Sequence, residues 1–424
     1  MSDSRRAAAE ILRQIITDRV FYSECRPLLD SLSAEDRAFV NMLALTSLRR
    51  LVFIRKILKT YIKKKIPAKF ALAEFALINA VSELLFMNTP DYAVLNSYVN
   101  LIKKLSDRFL AGMANAVLRK IAAAKTDLLS HAGEQIFPDA FRKILAEDYT
   151  PAQIKSFAQI ALQTPPLDIT VKTDPSGWAQ KLGAEILPGG SLRLHNAGNI
   201  PALPGYADGQ WWVQDCAAAL PVKLLGDIKG KKVLDLCAAP GGKTAQLINA
   251  GAAVTAVDIS AARLDTLRRN LERLNLSAEI ICADALDFLQ NPPQQYDIIL
   301  LDAPCSATGT FRRHPELVHA KGPDDVAKMC LLQQQLLDTA VTALKKNGIL
   351  LYCTCSIARR EGEQQIAGFL KRQTDCRIIP LKGDALDALK AGITPEGFLR
   401  ILPDTLADRG GTDAFFAALI EKVK

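Results

Sequence analysis

Two short segments each set a cysteine just beyond an apolar run: LLDAPCSATGT, which carries Cys305, and LLYCTCS, which carries Cys355. A free cysteine is ordinarily a core filler, but these two lie among small and polar residues. Asp302 precedes Cys305 by three residues. Two thiols and a carboxylate suit one reaction. Carbon 5 of cytosine is too weak a nucleophile to attack a methyl sulfonium directly. A thiolate adding to carbon 6 creates an enamine, and carbon 5 then attacks the methyl group. An acid at ring nitrogen 3 promotes the addition, and a base must later take the carbon 5 proton so that the thiol leaves. Cys216, Cys282, Cys330, Cys353 and Cys376 read as core fillers. Arg312, Arg313 and His314 follow the first thiol, where they either meet phosphates or form a solvated loop.

The segment DLCAAPGGKT reads as a strand, a glycine turn and a helix start. Gly241 and Gly242 allow close backbone approach to a ligand, and the helix start offers free N–H groups. Neither GxGxxG nor GxxxxGK[ST] is present, which disfavours a pyrophosphate ligand and a nicotinamide-dependent dehydrogenase. The next strand ends at Asp258, suited to accept the ribose hydroxyl protons of an adenosine. The third ends at Asp284, placed to reach an adenine amino group. One such aspartate is more often a helix cap; three acidic strand ends in sequence, counting Asp302, point to a ligand.

The elements that must position these groups follow from periodicity. Residues 4–125 carry helical spacing, with Ser33 and Asp36 near a capping box and Pro67 at a helix start. Beyond about Gly209 the pattern alternates between continuous apolar strands and helices, the mark of a parallel sheet covered on both faces. The chain is therefore expected to be multidomain: an all-α unit over 1–126, a connecting α+β subdomain over 127–207, and an α/β Rossmann-like domain over 208–424. Within the middle part, LDITVKT alternates like a strand, and ILPGGSLRLHNAGNIPALPGY reads as loop.

With 49% hydrophobic and 23% charged residues, the chain of 424 residues is globular and not disordered. A net charge of +8 suits a polyanionic partner, although alone it equally fits a self-repelling soluble protein. Arg49, Arg50, Arg55, Lys56, Lys59 and Lys63 to Lys65 form either a phosphate-facing surface or a solvated helix face. The nine cysteines are scattered singly, without CxxC, and only four histidines accompany them. These numbers predict free thiols in the cytoplasm, no disulfide framework and no metal site. No apolar stretch approaches the ~20 residues of a membrane span.

In order and spacing, DLCAAPGGKT, VDIS, DAPCSATGTFRRHPE and YCTCS resemble the motifs of the RNA 5-methylcytosine methyltransferases, the Sun/NOL/NSUN family. The helical part, through SAEDRAFVNML and GMANAVLRKI, resembles the NusB-like RNA-binding domain. The resemblance implies S-adenosylmethionine as cofactor and RNA, by domain combination 16S rRNA, as substrate. It implies Cys355 as attacking nucleophile, Cys305 as the thiol that assists release, and Asp302 as the contact to the target base and the methyl-donor end of the cofactor. Cys237, Ala238, Ala239, Pro240, Gly241, Gly242 and Lys243 would line the cofactor cradle, with Asp258 on the ribose and Asp284 on the adenine. Lys243 alternatively contacts substrate or Asp302. A DNA cytosine-5 enzyme would need no thiol at Cys355, so no DNA partner is expected. A transfer RNA methyltransferase and a non-catalytic assembly factor stand as alternatives, and a monomer is the default.

Overall fold

The computed structural model describes residues 2–133, 136–195, 197–381 and 392–424. Asn196, in the segment expected as loop, and residues 382–391, in the expected catalytic domain, lie outside the described residues. The chain separates into two compact units. The first holds residues 1–146, 150–162 and 314–321; the second holds 147–149, 163–313 and 322–424.

The first unit is built from α1 (Ser2–Arg13), α2 (Ala34–Tyr61), α3 (Ala71–Phe86), α4 (Asp91–Leu105), α5 (Arg108–Ala123), α6 (Lys125–Ser130), most of α7 (Asp139–Asp148) and α8 (Pro151–Ala161). Ser33 caps α2 by accepting the Asp36 N–H, as its spacing predicts. Pro67 precedes a 3-10 turn that leads into α3. Every residue of α3 from Phe75 to Leu85 is buried, as befits a central helix. Its Glu83 therefore needs a buried partner, and Arg5 of α1 supplies a two-pronged pair at 2.6 and 3.0 Å. The basic residues on α2 divide. Arg49 is buried and Arg50 stacks 4.0 Å over Phe86, whereas Arg55, Lys56, Lys59 and Lys63 to Lys65 are exposed.

The second unit contains two sheets. The smaller is antiparallel, with β1 (Leu167–Val171), β2 (Glu185–Ile186), β3 (Leu192–Leu194) and β4 (Trp211–Val213) in the order β2-β3-β1-β4, and α9 (Pro175–Leu182) joins β1 to β2. The segment expected as loop thus supplies β3 and the second residue of β2. Two and three residues are too few for alternation to show. Arg193 of β3 is buried through pairing with Asp168, its register partner on β1, at 2.7 Å.

The larger sheet comprises β5 (Lys232–Leu236), β6 (Ala253–Asp258), β7 (Glu279–Cys282), β8 (Tyr296–Asp302), β9 (Leu344–Thr354), β10 (Cys376–Ile379), β11 (Leu399–Ile401) and β12 (Phe415–Lys422). Its order is β10-β12-β9-β8-β5-β6-β7, with β11 beside β12. Strands β5 to β9 run parallel and β12 runs antiparallel. Helices α10 (Cys216–Lys223), α11 (Gly242–Asn249), α12 (Ala261–Arg273), α13 (Ala285–Gln290), α15 (Pro323–Ala340) and α16 (Glu363–Arg372) complete this Rossmann-like unit. The intervening α14 (Leu317–Ala320) belongs to the first unit, where His319 Nε2 lies 2.9 Å from the Leu48 carbonyl. Strand order reverses between β5 and β8, and a crevice is expected beyond the carboxyl ends at such a point. No described helix is long and apolar enough to cross a membrane.

Candidate active site

Strands β8 and β9 pair in register with Asp302 opposite Cys353, so the loops that follow them leave the sheet side by side. This brings the Sγ atoms of Cys305 and Cys355 to 3.4 Å, although the residues are 50 apart in sequence. Both thiols are half-buried. The contact with Cys355, aided by burial, pushes the Cys305 thiol well above its ordinary value. Cys353 is a core residue, as expected, but its sulfur also lies 3.5 Å from Asp302 Oδ1. Cys216 is buried too. Cys282 is exposed and Cys330 and Cys376 are half-buried, contrary to the expectation of core fillers. Cys282 ends β7, the edge strand of the larger sheet, paired on one side with Asp258 of β6.

Asp302 ends β8 and accepts a 2.8 Å hydrogen bond from Lys243 Nζ. Burial works against the lysine charge, but Asp302, with Cys353 and Cys355, outweighs it and raises the ammonium above its ordinary value. Of the two contacts weighed for Lys243, the structure shows the one to Asp302.

The turn from Cys237 to Gly242 bends beyond β5, with Cys237 at φ +60° and Gly241 at φ +99°. A Cβ at Gly241 would come within 2.9 Å of Leu267, so the approach of α12 requires glycine there. Asp258 Oδ2 accepts the Ala239 N–H at 3.1 Å, and Oδ1 accepts the Ser260 N–H at 3.0 Å. Asp284 caps α13, accepting the Leu286 N–H at 2.7 Å, so it is also the helix cap that one such aspartate usually is. Asp258 and Asp284 nevertheless line one cavity of about 260 Å³ with Cys237, Ile259, Arg263, Leu286, Pro304 and Leu336. Its apolar walls and two carboxylates fit the flat base and the hydroxyls of a nucleoside. Pro304 carries the cavity to the residue before Cys305.

Arg312 and Arg313 neither face solvent as a free loop nor present themselves to phosphates. Arg312 is fully buried, 2.7 Å from Asp215 and 3.4 Å from Asp413. Arg313 pairs with Asp215 at 2.8 Å and Asp413 at 3.3 Å, and lies 3.7 Å from Asp168. His314 belongs to the first unit, with its side chain exposed.

Sequence reasoning missed Asp235, in the middle of β5. Burial pushes its carboxyl up to about 7 while the Thr244 hydroxyl, donating at 2.6 Å, pulls it down. A charged residue inside an apolar strand was the available signal. Because the folded value lies above that of an unfolded aspartate, the stability it contributes is complete below about pH 4. That contribution is lost as pH rises through about 7. Asp235→Asn should therefore raise the melting temperature more at pH 8 than at pH 5; equal shifts in scanning calorimetry would refute the assignment. Glu361 was also missed, and no local pattern marks it.

Residues 222–421 match the family described as 16S rRNA methyltransferase RsmB/F, and residues 2–123 match the NusB family. Ribosomal RNA small subunit methyltransferase B of Vibrio cholerae serotype O1 is 33% identical over 398 residues, spanning 88% of this chain and 91% of that protein. Its namesake in Erwinia tasmaniensis is 32% identical over 444 residues, spanning 100% of this chain and 99% of its own. The crystal structure of PH0851 shares the fold, with a TM-score of 0.78 at 23% identity over 100% of this chain and 99% of that one.

Proposed function

Because the chain belongs to the RsmB/F family of 16S rRNA methyltransferases, we propose that it methylates carbon 5 of a cytosine in 16S rRNA through a covalent bond from Cys355 to the base. The observation that carries this reading is the 3.4 Å approach of Cys305 and Cys355 beside Asp302, at the carboxyl ends of adjacent strands. S-adenosylmethionine, once bound, supplies an electrophilic methyl group. The turn from Cys237 to Lys243 and the carboxylates of Asp258 and Asp284 would hold it.

The Cys355 thiolate adds to carbon 6, and the ring electron pair becomes available at carbon 5. Asp302, kept in place by Lys243, accepts from the cytosine amino group and delivers to nitrogen 3 the proton that the addition requires, taking it back once the methyl group is on carbon 5. After methyl transfer the carbon 5 proton passes to Cys305 as thiolate and from there to solvent. The Cys355–carbon 6 bond then breaks, and its electrons return to sulfur. Cys305 assists that release. The target base must leave its helical stack first, at a cost of a few kcal/mol. In this reading residues 1–126 bind RNA, 127–207 connect, and 208–424 catalyse, as a cytoplasmic monomer.

The test is incubation with labelled S-adenosylmethionine and unmodified 16S rRNA, with transfer RNA and DNA as controls. Nucleoside analysis should find 5-methylcytosine in the rRNA alone. Label in transfer RNA instead would redirect the substrate. Cofactor binding without transfer, even to a pre-ribosomal particle, would favour an assembly factor. Asp258→Ala should weaken S-adenosylmethionine binding by about 10- to 100-fold, the worth of a hydrogen bond to a charged group. Titration calorimetry showing unchanged affinity would remove Asp258 from the cofactor site.

A further inference from the structure

Each thiol is followed by a serine, and both serines turn inward to one carboxylate. Glu361, in the turn Arg359–Glu361 after β9, is fully buried. Its Oε1 accepts the Ser306 N–H at 2.8 Å and the Gln333 side-chain amide at 3.0 Å. Its Oε2 accepts the hydroxyls of Ser306 and Ser356, each at 2.5 Å. Among the described residues no lysine or arginine forms an ion pair with it. A carboxylate buried without a cation is destabilising unless hydrogen bonds replace its water. Charge-assisted bonds are the strong ones that do so. Here the donors come from the loop after Cys305, the loop after Cys355, and α15.

Other contacts close the same clamp. Thr308 Oγ1 lies 2.9 Å from Ser306 Oγ and 3.0 Å from Ser356 Oγ. The Gly309 N–H donates to the Cys355 carbonyl at 2.9 Å, and a Cβ there would meet that oxygen at 2.7 Å. Glu361 is itself anchored to β9, since the Tyr352 hydroxyl donates to its carbonyl at 2.8 Å.

We propose that Glu361 is the positioning residue that sets the separation of the two thiols, by holding Ser306 and Ser356 on one carboxylate. This rests on the reading of Cys355 as nucleophile and Cys305 as the releasing thiol. Glu361 acts only through the two serines. Glutamine is a poor replacement: an amide N–H beside Ser306 and Ser356 forces both hydroxyls to turn from donors into acceptors, and the charge-assisted bonds to the carboxylate are lost.

The experiment compares the full-length protein with Glu361→Gln, and with Cys355→Ala and Cys305→Ala as controls. Three quantities are read: kcat, KM for S-adenosylmethionine and rRNA, and capture of phenylarsine oxide, which bridges two sulfurs only when they are close. Glu361→Gln should lower kcat by about 100-fold, the effect of roughly 1 Å of misplacement, with both KM values within about threefold. It should also lose the arsenical bridge, as Cys305→Ala must. Wild-type turnover and bridging in Glu361→Gln would overturn the proposal, and so would a fall in kcat with bridging intact. If Glu361→Gln does not fold, Ser356→Ala removes one donor and should lose about tenfold in kcat, with weaker bridging. Wild-type values for Ser356→Ala would also overturn it. Adduct formation that survives loss of Cys355 would instead sink the thiol assignment, a result independent of the bridging measurement.

Discussion

Cys355→Ala is expected to lower methyl transfer by at least about 10⁴-fold, the scale on which enzymes lose activity with their nucleophile. No denaturant-resistant protein–RNA adduct should form. Cys305→Ala should lose turnover as well but accumulate that adduct, because attack remains possible while release is impaired. The opposite phenotypes of two thiols 3.4 Å apart are the informative feature. General damage to the crevice would affect both variants alike. Gel separation of adduct under denaturing conditions, beside methyl incorporation, reads both. An adduct that persists in Cys355→Ala and vanishes in Cys305→Ala would exchange the two roles.

Arg312→Ala is expected to cost about 3–5 kcal/mol of folding stability, the range for breaking a buried ion pair by removing one partner. Its guanidinium is fully buried and also donates to the Gly410 carbonyl at 2.9 Å. Burial works to raise the Asp215 carboxyl, but Arg313 and Arg312 outweigh it and hold it below the usual carboxylate range. Arg313 still reaches Asp215 and Asp413 in the variant, which places the loss toward the lower end of the range. Arg312→Lys should recover only part of it, since an ammonium cannot reproduce the planar fork. Urea denaturation followed by circular dichroism measures the change; a loss below about 1 kcal/mol, the worth of an exposed pair, would show that the cluster is solvated.

The two arginines show where local reading stops. In sequence they are a basic run after a thiol, which suggests phosphates or solvent. Their partners, Asp215 and Asp413, lie about a hundred residues away on either side, and nothing near Arg312 announces them. Glu361 is the same kind of case, 55 residues from Ser306. The strands β2 and β3 were hidden by their length, since two and three residues set among glycines, prolines and asparagines are too few to show a period.

By itself the sequence determined the alternation of strands and helices, the glycine turn after β5, and the placing of Asp258, Asp284, Asp302, Cys305 and Cys355 at or beyond strand ends. These are local properties, since apolar runs and turn residues act over a few positions. Tertiary structure alone decided that β8 and β9 are neighbours, and so that the thiols meet at 3.4 Å. It likewise decided that Lys243 turns to Asp302, that Arg312 and Arg313 are neutralised, and that one buried carboxylate serves both thiol loops. The reason is physical: a buried charge or thiol takes its character from whichever groups the packed surfaces bring against it. That choice rests on strand order and register across the whole sheet.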